Sequence, residues 1–136
     1  MGTWGAGPLD NDTAVDWMYG LGEVADLSLI EGTLDRALAC GDANLEAADA
    51  EEGIAAAEAV ARLLGNFGER NDYSRPMDDW VSWMPEKPSL ALLEKAWRMV
   101  ARVQHAPCIL LDEWTASGKV ELWSRSLADL KLRLGA

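Results

Sequence analysis

Three aspartates lie near the start of the chain, and their type and spacing could support the binding of a metal ion. The opening is MGTWGAGPLDNDTAVDW, in which Asp10, Asp12 and Asp16 follow a glycine-rich stretch. Carboxylate oxygens are the ligands that Mg²⁺ and Ca²⁺ prefer, and Asp12 and Asp16 would lie one turn apart on a helix. An EF-hand is excluded, because Ala14 and Val15 occupy the places of an oxygen ligand and of the required glycine. A looser divalent metal site at the three aspartates stays a hypothesis.

The same stretch has two further interpretations, a phosphate-binding loop and the start of a helix. A dinucleotide loop needs a third glycine where Asp10 stands and a β-strand before it, and the opening has neither. The clustered carboxylates would also repel phosphate, which excludes this interpretation. In the structural interpretation, Asp10 or Asn11 is the N-cap of the first helix, and Asp12 lies in its first turn, where the helix dipole favours an acid. Trp4 would then fold back onto the bundle, close to Trp17.

A second group of residues is acidic or aromatic and suits the binding of a protein partner. Acidic side chains attract a basic partner, and exposed tryptophans are frequent anchors of interfaces. The candidates are Asp49, Glu51, Glu52, Asp78, Asp79, Trp80 and Trp83. The plainer alternative is a solvated acidic face together with tryptophans that belong to the core.

No residue is predicted to be catalytic, and no cofactor is expected. His105, the single histidine, lies in the sequence QHAP at a junction between helices, with no nucleophile motif around it. Cys40 and Cys108 have no CxxC neighbour and are expected to be small buried hydrophobic residues. The HExxH, GxSxG and Walker patterns are absent from the sequence.

Negative charge is concentrated in the first half of the chain. The formal net charge is −11. Residues 1–69 contain 14 acidic and two basic residues, whereas residues 70–136 contain nine acidic and ten basic residues. An acidic half repels the phosphates of nucleic acid, so nucleic-acid binding is not expected. It would attract a basic protein surface, and a surface that only favours solubility is the alternative.

Apolar residues recur at helical spacing along nearly the whole chain, with no alternating strand pattern. An alanine-rich helix is expected after a capping box at Asp49 and Glu52, with Glu58 and Arg62 paired on its outer side. Because its small side chains let neighbouring helices approach closely, it is expected to be the central helix.

The second half of the chain is predicted to be helical as well. Pro76 opens a short helix whose apolar face is Trp80, Trp83 and Met84, and Ser89 caps the next helix. The last helix carries a ladder of alternating charge on its exposed side, formed by Glu121, Arg125, Asp129 and Arg133.

These patterns predict an all-α fold, a single domain over residues 1–136 built as a bundle of six or seven helices. A chain of this size buries enough surface to fold without a metal or a disulfide. The sequence has no signal-peptide pattern and no apolar run long enough to cross a membrane, so we expect a cytoplasmic protein.

The opening, the centre and the end of the chain resemble one bacterial family. Its members resemble MGxWGxGxFDNDxAxDW at the start, and here Leu9 replaces the usual aromatic residue. Its middle block, LEA…AAAExVA, is matched by LEAADAEEGIAAAEAVA, and its end, a tryptophan followed by LxDLxxRL, is matched by WSRSLADLKLRL. The chain is thus similar to the domain-of-unknown-function family numbered 4259. The resemblance implies a bacterial protein and supplies no activity.

The sequence leaves three hypotheses for function. The leading one is a non-enzymatic protein that binds a basic protein partner, as an immunity protein or an antitoxin does. The second is a metal-assisted hydrolase or small-ligand binder that uses Asp10, Asp12 and Asp16. The third is a structural subunit that associates with copies of itself through Trp80 and Trp83.

Overall fold

The computed structural model describes residues 2–135 and folds them into seven α-helices. These are α1 (Asp12–Leu21), α2 (Ser28–Leu38), α3 (Ala47–Leu63), α4 (Arg75–Trp83), α5 (Leu90–Arg102), α6 (Ile109–Ser117) and α7 (Val120–Arg133). The predicted all-α fold is confirmed, since residues 2–135 contain only two isolated β-bridges and no strand. Met1 and Ala136, the ends of the predicted domain, lie outside the described range. No helix between residues 2 and 135 has the length and apolar character needed to cross a membrane.

The alanine-rich helix α3 is central, as its composition predicts, and it contacts each of the other six helices. Every residue from Gly53 to Leu63 is buried, so the whole circumference of α3 faces other parts of the protein. Small residues make this possible. A Cβ atom added to Gly53 would lie only 2.5 Å from the sulfur of Met99 on α5. The sequence predicts a narrower buried stripe, made of Ala56, Ala59, Val60 and Leu63.

Glu58 and Arg62 on α3 form the predicted ion pair, but its predicted place on the outer side of the helix is wrong. Glu58 is 1% exposed and Arg62 is 3% exposed. Arg62 Nε donates to Glu58 Oε2 at 2.7 Å, and its terminal nitrogens donate to Asp78 Oδ1 on α4 at 2.6 Å and to the Glu69 carbonyl at 2.7 Å. Helical spacing predicts that the two side chains contact each other, but it does not predict whether other parts of the protein bury them.

Arg133 completes this buried ion network from α7. Its guanidinium donates to both carboxylate oxygens of Glu58, each at 2.7 Å, and to Asp129 at 2.8 Å. The predicted Asp129–Arg133 pair therefore exists, but Arg133 turns inward instead of lying on an exposed ladder. Asp78 also accepts a hydrogen bond from the Ser74 hydroxyl at 2.8 Å. Both buried carboxylates are thus fully paired, and the network joins α3, α4 and α7.

Two of the predicted helix caps are confirmed. Asn11 is the N-cap of α1, and its side-chain oxygen accepts from the Ala14 amide at 2.8 Å. Ser89 caps α5 and accepts from the Leu92 amide at 3.1 Å. Each cap satisfies a backbone N–H that the first turn of a helix leaves without an internal acceptor.

The predicted capping box of the central helix is wrong. α3 begins at Ala47, and its N-cap is Glu46, whose side chain makes no capping hydrogen bond. Asp49 therefore lies in the first turn, where the helix dipole favours an acid. Glu52 pairs with Arg36 of α2 at 2.9 Å instead of reaching back to the start of its own helix.

Helix α4 contains Pro76 in its first turn and buries most of its predicted apolar face. Trp80 and Met84 are buried, and Trp80 Nε1 donates to the Val24 carbonyl at 2.9 Å. Trp83 is 53% exposed, so its assignment to that buried face is wrong. It contacts Trp80 edge-on, with the ring centroids 6.1 Å apart.

The ion network predicts that replacing a buried arginine lowers the free energy of unfolding far more than replacing an exposed one. Replacing Arg62 by methionine keeps the apolar stem but leaves Glu58 and Asp78 each short of a buried partner. We expect a loss of about 3 kcal/mol in the free energy of unfolding, measured by urea denaturation. The matched Arg36→Met variant removes an exposed pair and should cost less than about 1 kcal/mol. Equal losses for the two variants would contradict this account of the network.

Candidate binding site under the N-terminal loop

Residues 2–10 form a closed loop, here called the N-terminal loop, that is fastened to the start of α1. The amide of Trp4 donates to the Asp10 carbonyl at 3.0 Å, and the amide of Asp12 donates to the Gly2 carbonyl at 2.7 Å. Within the loop, the Gly7 amide donates to Asp10 Oδ2 at 2.9 Å. The Asp10 carboxylate is therefore the internal anchor of this loop.

The glycines of the loop are explained by this anchor. A Cβ atom on Gly5 would lie 2.5 Å from Asp10 Oδ2, and one on Gly7 would lie 2.7 Å from the same oxygen. Real Cβ atoms do not approach an oxygen so closely, so any larger residue would push the carboxylate out of the loop. The packing of Asp10 thus explains why the loop is rich in glycine, and no bound phosphate is needed to explain these glycines.

The three aspartates considered as metal ligands lie in different surroundings. Within residues 2–135, no group of three or more histidine, cysteine, aspartate or glutamate side chains is placed to hold a metal ion. The Asp10 carboxylate is engaged by the Gly7 amide, whereas Asp12 and Asp16 are exposed along α1. The spacing on the helix is as predicted, but the third ligand is committed to the loop.

An open groove of about 700 Å³ runs between the N-terminal loop and helices α6 and α7. Its apolar lining comes from Trp4, Leu110, Trp114 and Leu122. Trp114 is held in place by a stacked contact with Trp123 of α7, with ring centroids 6.2 Å apart and planes 12° from parallel. The groove is therefore a preformed apolar surface with a rigid aromatic floor.

Trp4 lies at the groove and is 43% exposed. Its ring packs against that of Tyr73 at a tilt of 35°, with centroids 4.8 Å apart, and Tyr73 is itself 51% exposed. The prediction that Trp4 folds back is confirmed, but its ring packs against Tyr73 instead of Trp17. Trp17 is buried elsewhere and donates from Nε1 to the Thr33 hydroxyl at 2.8 Å.

A small cavity of about 20 Å³ lies under the N-terminal loop and adjoins the groove. The volume matches roughly one water molecule. Thr3, Ala6 and Trp114 are among the residues that line both spaces, so the cavity and the groove lie next to each other. The ionisable side chain that lines the cavity is Glu51 of α3.

Glu51 is the residue of this site with an unusual electrostatic environment. Partial burial raises the pKa of its carboxyl, and the negative charges of Glu113 and Asp12 raise it further, whereas a hydrogen bond from Thr13 acts to lower it. Among residues 2–135, no lysine or arginine forms an ion pair with Glu51. Lys119 lies along the groove and lines its wall. The carboxylates near the cavity therefore lack a compensating cation at close range.

The other predicted partner-binding residues are not gathered at this groove. Asp49 and Glu52 share Arg36, at 4.0 and 2.9 Å, so part of their charge is compensated. Asp78 belongs to the buried ion network, and Trp80 is 1% exposed. Neither of these two is available to a partner on the surface. The remaining two, Asp79 and Trp83, are exposed on α4.

The residues considered for nucleophilic chemistry are also separate from this groove. His105 is exposed between α5 and α6. Cys108 is buried and Cys40 is half-buried, and both thiols are free, so complete burial is confirmed for Cys108 alone. Helical periodicity gives no sign that Leu110, Glu113 and Leu122 share a groove with the N-terminal loop.

A second cleft, of about 190 Å³, lies on the other side of the N-terminal loop, next to the ion network. Its charged lining includes Asp10, Glu58, Asp129 and Arg133. Each of these side chains already has a hydrogen-bonding partner within the chain. We therefore place the candidate site at the groove and cavity, where apolar surface and an uncompensated carboxylate remain available.

Comparison with known proteins identifies a family and nothing closer. The family model described as "Domain of unknown function (DUF4259)" matches residues 2–126. No curated protein and no solved structure matches the chain.

The raised pKa of Glu51 predicts a pH-dependent gain in stability when its charge is removed. A carboxyl with a raised pKa is harder to ionise in the folded than in the unfolded chain, so its ionisation weakens folding as pH rises through the folded-state pKa. Glu51→Gln should raise the melting temperature at pH 7 by about 1–3 °C, a small gain because the side chain is partly exposed. Below about pH 4, where glutamate is protonated, the gain should vanish.

The neighbouring Glu52→Gln variant is the control for this measurement. It removes the same charge from the same helix but breaks the pair with Arg36, so its melting temperature should not rise at pH 7. A Glu51→Gln protein that melts at or below the wild-type temperature at pH 7 would show that the charge on Glu51 does not destabilise the fold.

Proposed function

Because the chain belongs to the DUF4259 family, whose description assigns no activity, we propose a function from the site itself: this protein is a binding module for a basic segment of another protein. The observation that carries the proposal is an apolar groove that shares lining residues with a cavity lined by the uncompensated carboxylate of Glu51. The groove offers Trp114 and Leu122 to an apolar side chain, and the cavity beside it contains Glu51. A segment with both apolar and positively charged side chains is complementary to these features.

The distribution of charge supports a basic partner. Residues 1–69 contain 14 acidic and two basic residues, and both arginines in that range are already paired. Among the residues that the structure describes, the exposed acids Asp16, Glu23 and Asp42 form no ion pair. Such a surface attracts a positively charged protein and raises the rate of association.

One specific form of this function is neutralisation of the partner. An acidic module that covers a basic working surface would act as an immunity protein or an antitoxin does. The exposed aromatic pair Trp4–Tyr73 at the edge of the groove supplies the kind of rigid anchor that such an interface uses.

A defined peptide tests the proposal without knowledge of the natural partner. An amphipathic helical peptide of about 18 residues, made of leucine and lysine, should bind with a dissociation constant of about 10–100 µM, followed by tryptophan fluorescence. Its affinity should fall several-fold between about 50 and 300 mM salt, because the attraction is partly electrostatic. A peptide with glutamate in place of lysine should not bind.

A pair of leucine variants on α7 locates the interaction. Leu122 lines the groove and is 51% exposed, and Leu132 is 73% exposed on the same helix but is not part of the groove lining. Leu122→Ser should weaken peptide binding about fivefold or more, the effect of losing one buried leucine side chain. Leu132→Ser should leave it unchanged. The proposal is wrong if the lysine peptide does not bind, or if both variants change its affinity equally.

A further inference from the structure

The cavity under the N-terminal loop adds a chemical requirement to the proposed binding surface. It adjoins the groove through Thr3, Ala6 and Trp114, and Glu51 lines its wall. A side chain that enters the cavity from a segment in the groove would pass these shared residues.

The size of the cavity distinguishes between the two basic side chains. Its volume of about 20 Å³ corresponds to a single water molecule. A lysine ammonium is compact and ends a narrow aliphatic stem, whereas an arginine guanidinium is a wide planar group with five N–H donors. The roof of the cavity is also fixed, since Gly5 and Gly7 pack closely against the Asp10 carboxylate.

We infer that the cavity is a binding site for a primary ammonium group, supplied by a lysine of the partner segment, with Glu51 as its counter-ion. This inference rests on the proposed function, because it names the side chain that enters the same site. The lysine stem lies over the Trp114 ring, where its methylene groups bury apolar surface. The ammonium reaches the Glu51 carboxylate and exchanges its water shell for that charge-assisted hydrogen bond.

The electrostatic surroundings of the cavity favour a cation. The side chains that act on Glu51 are Thr13 and Asp12 from α1 and Glu113 from α6, and both carboxylates repel the negative charge on Glu51. Lys119 lies along the groove wall and forms no ion pair with Glu51. An ammonium group in the cavity relieves the repulsion among the three carboxylates, and this is the source of its affinity.

Two peptides of equal charge test the inference. The leucine–lysine peptide is compared with a leucine–arginine peptide of the same length and charge, at the same pH and salt. We expect wild-type protein to bind the lysine peptide about fivefold more tightly, because the guanidinium does not fit the cavity. In Glu51→Gln, the preference should fall to less than about twofold.

Two further variants separate loss of the preference from loss of binding. Glu52→Gln removes a neighbouring charge outside the cavity and should keep the lysine preference. Leu122→Ser should weaken both peptides by the same factor and also keep the preference. If both peptides bind equally well to wild-type protein, the ammonium site is wrong while the proposed binding function stands. If the preference persists in Glu51→Gln, Glu51 is not the counter-ion, and if neither peptide binds, the proposed function fails as well.

Discussion

The two buried carboxylates, Glu58 and Asp78, constrain the rest of the structure, because an unpaired charge in the interior would cost several kilocalories per mole. The two arginines that donate hydrogen bonds to them come from two helices. Arg62 lies on α3 itself and bridges both acids, and Arg133 reaches Glu58 from the end of α7 with two parallel hydrogen bonds of 2.7 Å. Bidentate pairs have one geometry, unlike apolar contacts, which tolerate sliding. The network therefore fixes where α4 and α7 lie against the central helix.

The walls of the groove are held by contacts that are independent of one another. Arg133 holds the end of α7, and the stacked Trp114 and Trp123 hold its beginning against α6. The start of α6 is tied to the segment before α3, since Leu45 exchanges backbone hydrogen bonds with residues on either side of Cys108. The N-terminal loop is anchored separately by Asp10. A groove with separately fixed walls is preformed, so a partner does not have to order it.

Local sequence patterns predict much of this fold, and they fail where contacts between distant segments determine which side chains are buried. The helical spacing and the caps at Asn11 and Ser89 could be found from sequence, because their physics is contained in a few neighbouring residues. The i,i+4 spacing predicts the Glu58–Arg62 pair but not its burial, which depends on Asp78 and Arg133 far along the chain. The candidate site shows the same limit. Glu51 could be identified as a charged candidate, whereas the groove beside it depends on three segments that no local pattern connects.

Three glutamates of α3 differ in whether an arginine of the chain pairs with them. Glu52 has an arginine at the surface, and Glu58 has two arginines in the interior. Glu51 has neither, although it is partly buried and lies near two other carboxylates. The fold thus pairs the two later glutamates of α3 with arginines, whereas Glu51 lines a cavity that shares residues with an apolar groove. A partly buried carboxylate with no cationic partner among the described residues is the feature from which we propose a cation supplied by another protein.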